Sequence, residues 1–173
     1  MNPHSPRLLA LSLAVLLAAC AGPATRPDSS SAPLPDAPEN IPAISVAEAF
    51  MTPPMLEHEI DSVAAWNTPD GSTWLIATGK ETSQLVVYDG DTGAFKRTVG
   101  SRGDGPGQFN RPNGIAVYAD LVFVVERDNQ RVQVLALPGF EALGSFGEAV
   151  LEKPYGLWLR PLPDNTLEVL VTD

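Results

Sequence analysis

A step of 47 residues organises this chain. Leu75-Ile76-Ala77-Thr78-Gly79-Lys80, followed by Gln84-Leu85-Val86-Val87-Tyr88, has a counterpart in Leu121-Val122-Phe123-Val124-Val125-Glu126-Arg127, followed by Arg131-Val132-Gln133-Val134-Leu135. The same step of 47 carries Lys80 to Arg127, Gly100 to Gly147 and Glu126 to Asp173. A second element, Arg111-Pro112-Asn113-Gly114-Ile115-Ala116-Val117, returns after 42 residues as Lys153-Pro154-Tyr155-Gly156-Leu157-Trp158-Leu159, because the glycine-rich loop before the first copy is longer. Self-similarity at this period with about four strands per unit predicts the blades of a β-propeller, an all-β fold. No blade buries both of its faces alone, so its neighbours must supply the rest of the core.

The local patterns assign roles within each unit. Leu121 to Val125 is apolar throughout and rich in β-branched residues, as in a strand covered on both faces, whereas Arg131 to Val134 alternates as a half-exposed strand does. The charged residues between them, Glu126 to Gln130, read as a presented loop. Glu57 to Trp66 predicts the strand that opens the first blade, and Pro69-Asp70-Gly71 a tight turn after it, since proline presets φ and glycine accepts positive φ. Asp89 to Gly93 predicts a hairpin turn rather than a calcium loop, for no glutamate follows at EF-hand spacing. Gly100 to Phe109 predicts a flexible crossing between blades. It has neither a following helix nor Gly-Lys-Ser/Thr, which excludes a P-loop, and its Arg102-Gly103-Asp104 is taken as a chance integrin-type tripeptide.

Composition sets the compartment and narrows the chemistry. At 44% hydrophobic and 18% charged the chain is globular in type. A net charge of −10 disfavours nucleic acid as a partner, and opposes any anionic substrate unless metal ions or local Lys and Arg reverse the sign. Arg7 before the apolar stretch Leu8 to Ala19 reads as an export signal, residues 1–19. Leu17-Ala18-Ala19-Cys20 resembles the lipobox of bacterial lipoproteins, which implies lipidation of Cys20, and Ala21 after it favours the outer membrane. With Cys20 used, no cysteine is left for a disulfide, a thiolate nucleophile or zinc. Residues 20–54 hold eight of the 17 prolines between Ala21 and Pro54 and read as an extended tether, with one helical turn expected over Ser45 to Met51. Residues 55–173 are the expected propeller portion. They break off on the loop equivalent to Glu126, which predicts an N-terminal fragment of about two to three blades that is monomeric when complete; the alternative is an open partial propeller that closes by oligomerising.

The single histidine beyond the export segment, His58, would have to carry any Ser-His-Asp relay alone, and no Gly-x-Ser-x-Gly elbow is present. Lys80, Glu126, Arg127, Asp128 and Asp173 remain on the expected loop tips, with Asp61 ahead of the first full strand pair. Carboxylates beside Lys and Arg on one face suit hard cations together with a polyanion.

Gly107-Gln108-Phe109-Asn110-Arg111-Pro112-Asn113-Gly114-Ile115-Ala116-Val117 and Asn129-Gln130-Arg131-Val132-Gln133-Val134 resemble the NHL repeat of six-bladed propellers. Asp61-Ser62-Val63-Ala64-Ala65-Trp66, Leu75 to Lys80 and Leu85-Val86-Val87-Tyr88 resemble the opening of the bacterial β-propeller phytases, where Asp-Asp-Pro-Ala-Ile-Trp precedes an apolar strand ending in a phosphate-contacting Lys. Arg127 and Tyr155-Gly156 also match that family, whereas Ser62, Val63 and Glu126 depart from it. The resemblance implies a six-bladed propeller when complete and calcium-dependent hydrolysis of phosphate from inositol hexakisphosphate. It implies Lys80 and Arg127 on phosphate, Tyr155 orienting it, and Asp61 as a Ca2+ ligand. The other functional reading is an NHL-like module that binds protein or glycan on the same face without a metal. Each residue also has a purely structural role open to it: Lys80 and Arg127 as solvated loop charges, Tyr155 as packing, Asp61 as a strand cap.

Overall fold

A computed structural model describes residues Ile44 to Asp173, and Val46–Asp173 form one compact unit. The export segment and Cys20 lie outside the described residues. Four antiparallel strands make a first sheet in sequence order: β1 (Ile60–Asn67), β2 (Thr73–Gly79), β3 (Gln84–Asp89) and β4 (Phe95–Val99). A second sheet repeats it with β5 (Pro112–Tyr118), β6 (Leu121–Glu126), β7 (Arg131–Ala136) and β8 (Glu141–Phe146), and a third contains β9 (Leu157–Pro161) and β10 (Leu167–Val171). The first strands of successive sheets are neighbours, β1 against β5 and β5 against β9, which is the arrangement of propeller blades around an axis.

The apolar runs acquire their meaning from this stacking. Val122 and Val124 pack toward the first sheet with Ile76, Leu85 and Val87, while Phe123 and Val125 turn the other way toward Leu157, Leu159 and Val169. Successive side chains of a strand point to opposite faces, so a strand with a blade on each side must be apolar at every position. Each fully buried Val, Leu, Ile or Phe contributes about 1.5–3 kcal/mol. On the face of the first sheet that turns away from the second, Met55 packs against the cluster of Leu75, Ala77 and Tyr88.

The repeat extends to backbone conformation. Glu59 and Arg111, each just before a first strand, are left-handed at φ 46° and 52°; Ser83 and Gln130, closing equivalent turns, are left-handed at 56° and 55°. Both turns dock in the same way. Lys80 N and Glu81 N donate to Glu59 O and His58 O, and Arg127 N and Asp128 N donate to Arg111 O and Asn110 O.

Four local expectations need correction. Leu56–His58 is a 3-10 turn, so the first strand starts at Ile60 rather than Glu57; the carbonyls of His58 and Glu59 accept from the amides of Glu81 and Lys80. Ser45 to Met51 contains no helical turn. Strand β7 is covered, with Arg131 and Gln133 buried, because the Gly100–Phe109 crossing lies over it. That crossing is pinned rather than flexible: Arg131 donates to the carbonyls of Asp104, Gly105 and Gln108, and the Gly107 amide donates to Gln133.

Candidate functional site at the blade rim

Irregularities in the first strands give Asp61, Asn113 and Tyr155 equivalent places at the starts of successive sheets. The β1–β2 register jumps between the pairs Ile60–Gly79 and Val63–Ala77, and the β5–β6 register between Pro112–Glu126 and Ile115–Val124. Asp61-Ser62 and Asn113-Gly114 are therefore equivalent bulges, which re-aim side chains at sheet ends. Tyr155-Gly156 occupies the matching place ahead of β9.

These segments are stitched to one another. The Thr78 hydroxyl accepts from Ser62 N at 3.1 Å and donates to Asn113 O at 2.7 Å. Gly114 N donates to Tyr155 O at 2.8 Å, and Gly156 N to Thr172 Oγ1 at 2.9 Å. A Cβ on Gly114 would stand 2.8 Å from Tyr155 O and 3.0 Å from Gly156 Cα, so only glycine lets the second and third sheets approach this closely. Tyr155 then donates its hydroxyl to Asp61 Oδ1 at 3.4 Å, reaching from the third sheet to the first.

Lys80, Arg127 and Asp173 follow β2, β6 and β10, and so lie at the end of each sheet where β1, β5 and β9 begin. Asp61 and Tyr155 are on that same rim. Lys80 Nζ is 3.9 Å from Glu59 and the Arg127 guanidinium 4.0 Å from Asp128, both long contacts between partly exposed groups and weak as ion pairs. Arg102 adds a cation here, donating to Glu81 O at 2.6 Å and to Asn110 Oδ1 at 3.4 Å.

Glu126 is not on the tip. It is fully buried, its Oε1 accepting from Arg131 Nε at 2.7 Å and Gln133 at 2.9 Å, its Oε2 from Asn129 at 2.6 Å and Asn110 N at 3.1 Å. Asp173 likewise faces backbone, accepting from Glu152 N and Lys153 N. Both carboxylates hold the rim together.

Sequence reasoning missed Asn113, which is wholly buried with Oδ1 and Nδ2 both lacking a protein partner; Asp61 Oδ2 is also buried and partnerless. Aligning Pro112-Asn113-Gly114 with Ile60-Asp61-Ser62 would have paired them. No comparable signal marked Arg102. Among the described residues no group of three or more His, Cys, Asp or Glu converges on a metal position. Asp61 and Asn113 carry hard oxygen donors of the kind calcium takes. A larger groove of about 540 Å³ lies on the outer face of the first sheet, lined chiefly by apolar groups such as Pro53, Met55, Val63, Leu75 and Tyr88; it lacks the converging charges of the rim.

No curated protein sequence matches the chain. Among solved structures, the chain is similar to Kuenenia stuttgartiensis hydrazine synthase, at 17% sequence identity and a TM-score of 0.45 over 67% of this chain; it spans 30% of that protein's length. Residues 59–145, half of the sequence, match the model of a family described as 6-bladed beta-propeller. The chain belongs to that 6-bladed beta-propeller family.

Proposed function

We propose that this rim binds a phosphate-rich small molecule with calcium and hydrolyses its phosphate monoesters, in the manner of the phytases that the sequence resembles. One observation carries the reading: Lys80 and Arg127, on equivalent turns, lie at the same sheet ends as Asp61 and Asn113, which keep buried oxygens without partners. The chain is strongly acidic overall, so an anion would be drawn to a place where cations are concentrated and only weakly engaged.

Lys80 and Arg127 would hold phosphate oxygens, Arg127 through a planar fork suited to two of them and Lys80 as a point charge. Asp61 and Asn113 would hold calcium, which when bound supplies charge neutralisation and activates water. Tyr155, positioned by its bond to Asp61, would orient the phosphate from the third sheet. A lipid on Cys20 would tether this rim near a membrane surface.

The test is release of inorganic phosphate from inositol hexakisphosphate by the full-length protein, with calcium and with a chelator. Calcium-dependent release supports the reading. Binding of a protein or glycan at the same rim with no release in either condition replaces it with a recognition module.

A further inference from the structure

We propose a second binding site at the opposite end of the blades, a Trp-walled pocket between the first and second sheets that takes the head group of a small organic cation, a quaternary or alkylated ammonium. It is independent of the rim and of any chemistry there. Strand β1 runs away from the rim into the turn at residues 68–72, and β7, whose Arg131 pairs with Glu126, runs away from it into the turn at residues 137–140. Where these turns approach each other, Trp66, Thr68, Pro69, Asp70, Trp74 and Pro138 line a cavity of about 260 Å³. Pockets for drug-sized molecules run to about 300–1,000 Å³, so this one is filled by a single compact group.

The walls select for positive charge. Trp66 and Trp74, register partners on β1 and β2, have ring centroids 5.2 Å apart at an interplanar angle of 71°. The negative face of an indole attracts a cation. Arg97 shows this in the structure: its guanidinium lies 5.4 Å from the Trp74 ring and 5.2 Å from that of Phe140, and its Nη2 donates to Pro138 O at 2.8 Å. Arg97 does not line the cavity, and the carboxylate that does is poised for a partner. Asp70 takes its hydrogen bonds from the Thr68 hydroxyl, Ser72 N and Ser72 Oγ all on Oδ1, which leaves Oδ2 to a ligand.

An anion or a sugar would find few donors here. Among the described residues on the walls, Trp66 Nε1 is spent on Asp120 at 3.1 Å, the Thr68 hydroxyl is engaged with Asp70 and Ser72, and the two prolines have no N–H. The Asp120 carboxylate behind Trp66 joins Asp70 in offsetting the charge of Arg97. Among the described residues, the turns at this end of the three sheets hold Asp70, Asp91, Asp120 and Asp164 and no Lys or Arg, a field that concentrates cations.

The probe is choline, titrated into the full-length protein at constant ionic strength and followed through the indole N–H signals in NMR. Its control is the neutral isostere in which a tert-butyl group replaces the trimethylammonium. Choline is expected to saturate and to bind about tenfold tighter than the isostere, the share of affinity that charge against an indole supplies. Asp70→Asn should weaken choline about threefold, as for an exposed charge pair, and leave the isostere unchanged. Trp74→Leu should abolish the preference for choline and Trp74→Phe restore part of it, with thermal melting to verify folding. If Trp74→Leu unfolds, Asp70→Asn and the ratio between the two probes still decide. Lys80→Ala should bind choline as wild type does, and a loss there, which would place the cation at the rim, overturns the proposal. Equal affinity for the two probes, absence of saturation, or choline binding unchanged by the Asp70 and Trp74 substitutions also overturns it. So does capture of a lysine-rich peptide at these residues with no affinity for choline, the mark of a protein-docking surface.

Discussion

Glu126 and Asp173, 47 residues apart, perform the same task in consecutive sheets: Glu126 Oε2 accepts from Asn110 N at 3.1 Å, and Asp173 Oδ2 accepts from Glu152 N at 2.9 Å. In each case an acid after or at the end of the second strand fastens the loop that leads into its own first strand. The repeat thus preserves a carboxylate for architecture at a place where, from the sequence, it looked available for ligands.

Glu126 should be among the most sensitive positions for stability. Glu126→Ala leaves the Arg131 guanidinium buried without its partner and also releases Gln133, Asn129 and Asn110 N. Breaking one side of a buried pair costs about 3–5 kcal/mol. Urea denaturation should show that loss in the midpoint, and a variant within about 0.5 kcal/mol of wild type would contradict the burial described for this group.

Lys80→Ala and Arg127→Ala should separate function from folding. Their side chains make only long ion contacts, so each is expected to leave stability within about 0.5 kcal/mol. Losing a charged hydrogen bond to phosphate corresponds to about 1.5–3 kcal/mol, or roughly 10- to 150-fold in kcat/KM. Phosphate-release kinetics with inositol hexakisphosphate provide the check.

Gly100 and Gly107 make a matched pair of probes for the crossing loop, both at positive φ, 81° and 74°. A side chain at Gly107 meets open space, whereas at Gly100 its Cβ would collide with the ring of Phe109, a fully buried core residue. Gly107→Ala should cost about 1 kcal/mol from backbone strain alone. Gly100→Ala should add about 1–3 kcal/mol of overpacking, read as a lower melting temperature than its partner variant.

Acid should loosen the β1–β2 turn by a definable route. The Asp70 carboxylate accepts from the hydroxyls of Thr68 and Ser72 and from Ser72 N, and these bonds hold its pKa at about 2, below its ordinary value of 3.8. A depressed folded-state pKa means the contribution is present above the unfolded value and is lost as pH falls from about 4 to about 2. Chemical-denaturation midpoints across that window should fall more steeply for wild type than for Asp70→Asn; parallel curves would show that the turn is not linked to stability.

The sequence by itself determined the blade period, the strand cores and the placement of Lys80 and Arg127 on equivalent turns. A 47-residue repeat of apolar runs has few ways to bury both faces of every strand, so the unit and its tips follow from pattern alone. Alternation, however, tells which side chains share a face and not what lies over that face. Arg131 and Gln133 therefore read as exposed until the crossing loop was seen to cover them, and Glu126 went with them into a buried network. Only tertiary structure decided the mouth of the site, because Asp61 and Tyr155 are 94 residues apart and meet through bulges whose direction depends on how three separate sheets are stitched.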